Sequence, residues 1–203
     1  MKLGLVVCLA GVALGAVAAL PLQDPPKAKD EPNPMGDPAA MARAMQAMQP
    51  GTEHKELAGM VGKWKTDVAY TMTAGAPPME WSGTSTFTML MDGRYLQEDH
   101  ESSGPMGPYK GRSTTGFNNM TKQYESTWID SMGTGIVYLS GAADASGDVK
   151  LKGEFMEPMT NAMMGMRNVM HKVGADEYEA RMYFTPAGKP EFQAMTMKYT
   201  RQP

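Results

Sequence analysis

The side chains of this sequence that could support acid–base or nucleophilic catalysis are a few carboxylates and one serine. Asp130 directly precedes Ser131, and Asp99 lies two residues before Glu101. Such groups act only when they meet in one pocket. No G-x-S-x-G elbow is present, and the glycine-rich run after Asp130 has no helix behind it, which indicates a hairpin turn rather than a phosphate loop. An enzyme with a polar site near Asp130 or His171 is therefore one alternative, and no catalytic residue is assigned.

Methionine and histidine are the other side chains that could hold a ligand. Met163, Met164 and Met166 form one short run, and thioethers bind Cu(I). His171 follows on the same predicted strand, and some ten-stranded barrels bind haem through one histidine near their C-terminal strands. Haem or Cu(I) binding through His171 or the methionine run is a second alternative. The three histidines show no zinc-type spacing, and the sequence specifies no cofactor and no metal.

The elements that would position these groups begin after an N-terminal region with features of export. Residues 1–19 contain a positive Lys2, an uncharged stretch and a small-x-small pattern at Ala16–Ala18, which together predict a cleavable signal peptide. Residues 20–37 are rich in proline and predict a disordered tether. Residues 38–61 predict short helices, the first with Met41 on its apolar stripe. We therefore expect an exported protein, periplasmic or secreted, that contacts a membrane only through an uncleaved signal segment.

From residue 62 onward the hydrophobic period changes from 3.6 to 2. Trp64, Val68 and Tyr70 fall on one face of the first such run, whereas Lys65 and Asp67 fall on the other. This alternation is typical of antiparallel strands with one buried face. Turn signals interrupt the pattern at short intervals, at residues 75–78, 92–93, 104–105, 118–119, 132–133, 146–147, 174–176 and 186–188.

The spacing of these turns predicts about ten strands and leaves no room for crossover helices. Ten strands joined by hairpins must protect two edges, and closure removes both. We therefore predict an all-β fold in which residues 62–203 form a ten-stranded antiparallel up-and-down barrel of the lipocalin or calycin kind. An open two-sheet sandwich is the alternative fold.

A glycine and a tryptophan at the start of the first strand resemble the G-x-W signature of lipocalin-like barrels. In those proteins the tryptophan closes one end of the barrel, and an arginine from a late strand lies across its ring. Here the glycine is Gly62, the tryptophan is Trp64, and Arg201 stands at the end of the last predicted strand. First and last strands are neighbours in a closed barrel, so the pattern predicts a structural cation–π contact between Arg201 and Trp64.

Several segments together resemble a family, the domain of unknown function 1579. The similarity covers roughly residues 50–201 and is carried by 50–64, 75–80, 90–98, 126–135 and 198–201, of which the run from Trp128 to Gly135 is the most specific. The family comprises bacterial, often exported proteins without an established activity. The resemblance therefore implies a lipocalin-like barrel and export, and it assigns no catalytic residue. The methionine-rich stretch 156–170 departs from the family pattern.

Composition narrows the partners that this protein can take. The chain has 22 methionines, which predicts an interior filled by flexible thioether side chains. Its formal net charge of -3 argues against a nucleic-acid partner, which would require a basic surface. Oligomeric state is left open.

The leading hypothesis for function is the binding of a small apolar molecule in the barrel. The side chains predicted to contact it are Trp128, Asp130, His171, Met163, Met164 and Met166. Beside the enzyme and the haem or copper alternatives, a structural or interaction role in the cell envelope remains open, with residues 23–50 as the contact arm.

Overall fold

The computed structural model describes residues 36–203. The predicted signal peptide, and the predicted tether up to residue 35, lie outside the described residues. Two short helices come first, α1 (Pro38–Ala47) and α2 (Thr52–Ala58). The Gly51 amide precedes α2 and donates a hydrogen bond to Nδ1 of His54 at 3.0 Å, which satisfies one free backbone group at the helix start. Within residues 36–203, no helix is long and apolar enough to span a bilayer.

Ten antiparallel strands follow and account for most of the described residues. They are β1 (Gly62–Tyr70), β2 (Met79–Leu90), β3 (Tyr95–Gly104), β4 (Gly107–Asn118), β5 (Gln123–Asp130), β6 (Val137–Ala143), β7 (Val149–Glu157), β8 (Ala162–Lys172), β9 (Glu177–Pro186) and β10 (Phe192–Arg201). Each strand pairs with its neighbours in sequence, and β1 pairs with β10, so the sheet closes. The prediction of a ten-stranded up-and-down barrel is confirmed, and the open sandwich is wrong.

The up-and-down order gives the barrel two different ends. At the helix end lie the start of β1, the end of β10 and the four turns 91–94, 119–122, 144–148 and 173–176. At the loop end lie the five connections 71–78, 105–106, 131–136, 158–161 and 187–191. Helix α2 packs against β3 and β4. Leu57 of α2 and Met60, which follows the helix, join the buried core. This core fills mainly the half of the barrel nearer the helix end.

Trp64 is the centre of this core and is 0% exposed. Its ring meets Tyr178 and Phe87 edge-on, at centroid distances of 5.4 and 6.4 Å. Its indole N–H donates a hydrogen bond to the Met60 carbonyl at 2.8 Å, so the one polar atom of the side chain is satisfied. The tryptophan therefore ties the first strand, the segment after α2 and the late strands together.

Arg201 covers this tryptophan from the end of the last strand. Its guanidinium carbon lies 4.2 Å from the centroid of the Trp64 ring, which is the contact that the sequence pattern predicts. The same side chain donates to the carbonyls of Gly59 and Val61, both at 2.7 Å. Gly62 has a φ of +127°, and a Cβ there would stand 3.0 Å from Arg201, so backbone conformation and space both require glycine.

The prediction of a methionine-filled interior is only partly correct. Met60 and Met197 are buried, and Met89, Met166 and Met195 pack against the core. More than a third of the residue is exposed in Met41, Met45, Met48, Met72, Met91, Met106, Met120, Met132, Met156, Met159 and Met163. Most of these lie in turns and loops or on α1, where the chain has no interior to fill. Composition alone could not distinguish these positions from the inward faces of strands.

Candidate functional site

A cavity of about 2720 Å³ occupies the barrel interior and is lined by residues of all ten strands. Toward the helix end its walls are the packed core. Toward the loop end, lining side chains such as Trp81, Trp128 and Val137 are only partly buried. The space that a small molecule could enter therefore lies mainly in the half nearer the loop end, which we call the outer half.

The floor of the outer half is a hydrogen-bonded polar cluster on β2, β3 and β10. Oε1 of Glu98 accepts hydrogen bonds from the hydroxyls of Ser85 and Tyr199, at 2.8 and 3.1 Å. Nδ1 of His100 lies 3.0 Å from the Ser85 hydroxyl, and the His100 and Tyr109 rings are 6.0 Å apart. Glu98 and His100 are both buried, so the cluster places two titratable groups inside an otherwise apolar barrel.

Burial moves both groups toward their uncharged forms. Desolvation raises the pKa of Glu98 above its usual range, and hydrogen bonds from Ser85, Tyr199 and Ser113 oppose this only in part. Desolvation also lowers the pKa of His100. The burial of the floor therefore favours the uncharged forms of both side chains.

One side wall is organised by Asp130 at the end of β5. Its Oδ2 accepts from the Trp128 indole N–H at 3.0 Å and from the Tyr109 hydroxyl at 3.3 Å. Its Oδ1 accepts from the Met132 and Gly133 amides at 2.8 and 3.0 Å, which begins the 131–136 loop. Asp130 is therefore a positioning residue whose acceptors are already engaged. The side chains it orients, Trp128 and Tyr109, offer their rings to the cavity.

The position of Trp128 depends on a glycine in the neighbouring strand. A Cβ at Gly111 would stand 2.1 Å from Cζ2 of the Trp128 ring, much closer than a van der Waals contact allows. Any larger residue at this position of β4 would push the indole away from Asp130. Gly111 therefore belongs to the site although it carries no functional group.

The opposite wall is apolar and built from β7 to β10. Phe155 and Phe184 meet at a centroid distance of 5.5 Å, and Phe184 and Phe192 at 6.3 Å. The methionines that complete this wall are Met164, Met166, Met170, Met182 and Met195. Asn168 stands among them, and its buried Oδ1 has no hydrogen-bond partner among the described residues. An unpaired buried acceptor is costly, so a ligand that donates to it would recover that cost.

The residues that the sequence analysis selected are only partly brought together. Trp128, Asp130, Met164 and Met166 line the cavity at its outer half. Met163 also borders the cavity near the loop end, but it pairs across the strands with Met156 on the outer face of β7 and β8 and is exposed. Side chains alternate along a strand, so three methionines within four residues cannot all point inward. The run from Met163 to Met166 therefore does not form one convergent thioether site.

His171 lies elsewhere, on the outer face of β8 near the helix end. It pairs with Glu179 across the strands, and its Nδ1 is 2.5 Å from Asp148 Oδ1. It follows Met170, which faces inward, so the period of 2 turns it outward, and it borders the cavity only at the helix end, beside Lys172. Asp130 ends β5 at the loop end, so Asp130 and His171 lie at opposite ends of the barrel and do not converge in one polar cluster. Within residues 36–203, no three His, Cys, Asp or Glu side chains are grouped to hold a metal ion.

The polar floor was missed by the sequence analysis, although a signal for it was present. Glu98 and His100 follow Leu96 at intervals of two, so they share its inward face. The carboxylates selected from the sequence, Asp99 and Glu101, instead face outward. Asp99 pairs with Arg112, and Glu101 pairs with Lys110. The polar side chains of this part of β3 suggested that the segment faces solvent, but the strand register decides which side chains point inward.

Comparison with known proteins places this geometry among similar barrels. The model of a family described as "Protein of unknown function (DUF1579)" matches residues 49–201. The crystal structure of Rv2717c from M. tuberculosis is 13% identical, with a TM-score of 0.52 over 76% of this chain and 100% of that chain. The S-type phycobiliprotein lyase CPES from Guillardia theta is 11% identical, with a TM-score of 0.53 over 79% and 97%. No curated protein sequence matches. At these identities the structural likeness shows a shared calycin-like fold alone.

Proposed function

The chain belongs to the family of proteins of unknown function DUF1579, and from this premise we propose that its barrel binds a small, mostly apolar molecule bearing an uncharged hydrogen-bonding group. The observation that carries the proposal is the two-sided cavity, with a phenylalanine and methionine wall opposite a polar floor. Ligand sites usually have volumes of about 300–1,000 Å³ and mostly apolar linings with a few placed polar groups. The outer half of this barrel has such a lining, within a cavity whose total volume of about 2720 Å³ exceeds that range.

The charge of the preferred ligand follows from the lining. The lysines that line the cavity, Lys55, Lys122, Lys172 and Lys189, lie at its two ends, and no arginine among residues 36–203 lines it. An anionic group at the floor would meet Glu98 and Asp130 without a cation to pair with. Burying an unpaired charge costs several kcal/mol, whereas an alcohol or amide needs only hydrogen bonds. The ligand class is therefore neutral.

This selectivity is testable with a fatty alcohol, a fatty amide and a fatty acid of the same chain length. At about pH 8, where the acid is ionised, we expect the alcohol and the amide to bind at least about a hundredfold more tightly than the acid, because the carboxylate lacks a cation. Isothermal titration calorimetry measures the three affinities. Equal or tighter binding of the acid would contradict the proposed ligand class.

A bulky side chain placed in the outer half tests whether the ligand binds inside the cavity. Val137 begins β6 and lines the cavity. The Val137→Trp variant should bind the fatty alcohol about ten- to a hundredfold more weakly, since overpacking costs 1–3 kcal/mol. Val173→Trp is the matched control, because this valine is exposed in a turn at the helix end. Equal losses in both variants would place the binding outside the cavity.

We also propose that the protein is exported, on the strength of the sequence pattern in residues 1–19. Amino-terminal sequencing of the chain recovered from a bacterial periplasm or medium tests this. A mature terminus shortly after Ala18 supports export. Recovery of the complete chain from the cytoplasm alone would overturn it.

A further inference from the structure

The loop end of the barrel is ringed by exposed apolar side chains from four different loops. Met72 is 48% exposed, Met106 62%, Met132 59% and Met159 81%, and Ile136 beside Met132 is 72% exposed. We call these five residues the rim. Each of the first four connections at this end contributes at least one of them. Because the connections project from the same end of a closed barrel, the rim encircles the opening of the cavity.

Charged residues are concentrated in the turns at the helix end and are few in the connections at the loop end. The helix-end turns carry Asp92, Arg94, Lys122, Asp144, Asp148 and Asp176. The five loop-end connections carry only Lys189 and Glu191, and Glu191 is bound by Arg167 through two hydrogen bonds, at 3.0 and 2.5 Å. A surface with so few charges and several exposed apolar side chains is suited to contact with an apolar environment.

The acidic residues that border the rim are held by hydrogen bonds from uncharged donors. Glu157, at the end of β7, accepts hydrogen bonds from the Met159 amide and from the amide and hydroxyl of Thr160. Asp130, just before the 131–136 loop, is held by Trp128, Tyr109 and two backbone amides. Within the five connections, Lys189 is the charged residue without an ion-pair partner, whereas Asp130 and Glu157 beside the connections keep their hydrogen-bonded carboxylates.

We propose that the rim docks on a lipid surface, with the loop end facing the membrane and the cavity opening onto the lipid. Exposed apolar residues beside a single lysine, and the half-exposed ring of Tyr138 on the outer face of β6, match the side chains that lie at membrane interfaces. The cavity opens within the same ring, so a molecule dissolved in the lipid reaches it without crossing water. The docking itself does not depend on ligand binding.

Labels at the two ends of the full-length chain test this docking. In a Cys8→Ser background, an environment-sensitive nitrobenzoxadiazole dye is attached at Thr134→Cys in the loop end or at Ala145→Cys in the helix end. With vesicles of phosphatidylethanolamine and phosphatidylglycerol, we expect the fluorescence at position 134 to rise severalfold and to be quenched by nitroxide-bearing lipid. The label at position 145 should not respond. A tether through the N-terminal segment alone would immerse neither label.

Matched methionine variants show whether the rim causes the effect. Changing Met72, Met106, Met132 and Met159 together to serine should weaken vesicle binding of the label at position 134 at least about tenfold, because the buried apolar area is lost. The Met91→Ser, Met120→Ser double variant removes exposed methionines of the helix end and should bind as before.

Several outcomes would overturn the docking proposal. They are a response of neither label, an equal response of both, an unchanged quadruple variant, or a response at position 134 that grows with protein concentration without vesicles. The last would mean that a second copy covers the rim. Val137→Trp, which blocks the cavity, should dock like the wild type, so failure of ligand binding and failure of docking are separate results.

Discussion

Replacing Trp64 with alanine is expected to lower the free energy of unfolding by about 3–5 kcal/mol, the range for removing a large buried aromatic side chain. The side chain is fully buried between Tyr178 and Phe87, its N–H is satisfied by Met60, and it supports the Arg201 guanidinium. Its loss leaves a cavity in the packed half of the barrel and removes the surface on which Arg201 rests. Urea unfolding followed by circular dichroism measures the change.

The Trp64→Phe variant separates packing from the hydrogen bond. Phenylalanine keeps an aromatic ring under Arg201 but leaves the Met60 carbonyl without its donor, so a smaller loss of about 1–3 kcal/mol is expected. A Trp64→Ala loss below about 1 kcal/mol, within the range of surface substitutions, would show that this residue does not close the barrel.

Replacing Glu98 with glutamine is expected to remove a pH-dependent loss of stability. The pKa of Glu98 is raised in the folded chain above the value of 4.5 that an unperturbed glutamate has, mainly by desolvation. Its stabilising contribution is therefore complete below about pH 4.5 and declines as the pH rises through the folded-state pKa. Glutamine resembles the neutral acid in shape and still accepts from Ser85 and Tyr199, but it cannot ionise.

The free energy of unfolding of Glu98→Gln relative to the wild type should therefore increase from acid to alkaline pH. The increase amounts to about 1.4 kcal/mol for each unit by which burial raises the pKa. Urea titrations at several pH values measure it, and above pH 6.5 the usual titration of His100 no longer contributes. Glu101→Gln is the control, since Glu101 faces outward and pairs with Lys110. A difference that does not vary with pH would mean that burial does not raise the pKa of Glu98 in the folded chain.

Much of the architecture could be predicted from the sequence because a period of 2 and frequent turns leave few alternatives to a closed barrel. The contact between Trp64 and Arg201 was predictable for a related reason, since closure makes the first and last strands neighbours. Both inferences depend on order along the chain, which the sequence contains directly.

The site was less predictable because two of its properties depend on three-dimensional detail. The alternation of the strands indicates which side chains point inward but not whether they fill the interior. Only the structure shows that a cavity remains. Glu98 and His100 were overlooked since charged residues are rarely buried. His171 and Met163 were selected by residue type, yet both are odd-numbered residues of β8, and the side chains of these residues face outward. A strict count of strand register would have corrected all four.

The most direct test of the proposed binding is to locate a neutral ligand in the barrel by anomalous diffraction from crystals soaked with a fatty alcohol that carries a terminal bromine. We expect its hydroxyl within hydrogen-bond distance of the floor formed by Ser85, Glu98, His100 and Tyr199, with the bromine nearer the loop end. Bromine signal confined to the outer surface, or an interior closed by collapsed side chains, would contradict the proposal that this barrel is a binding module.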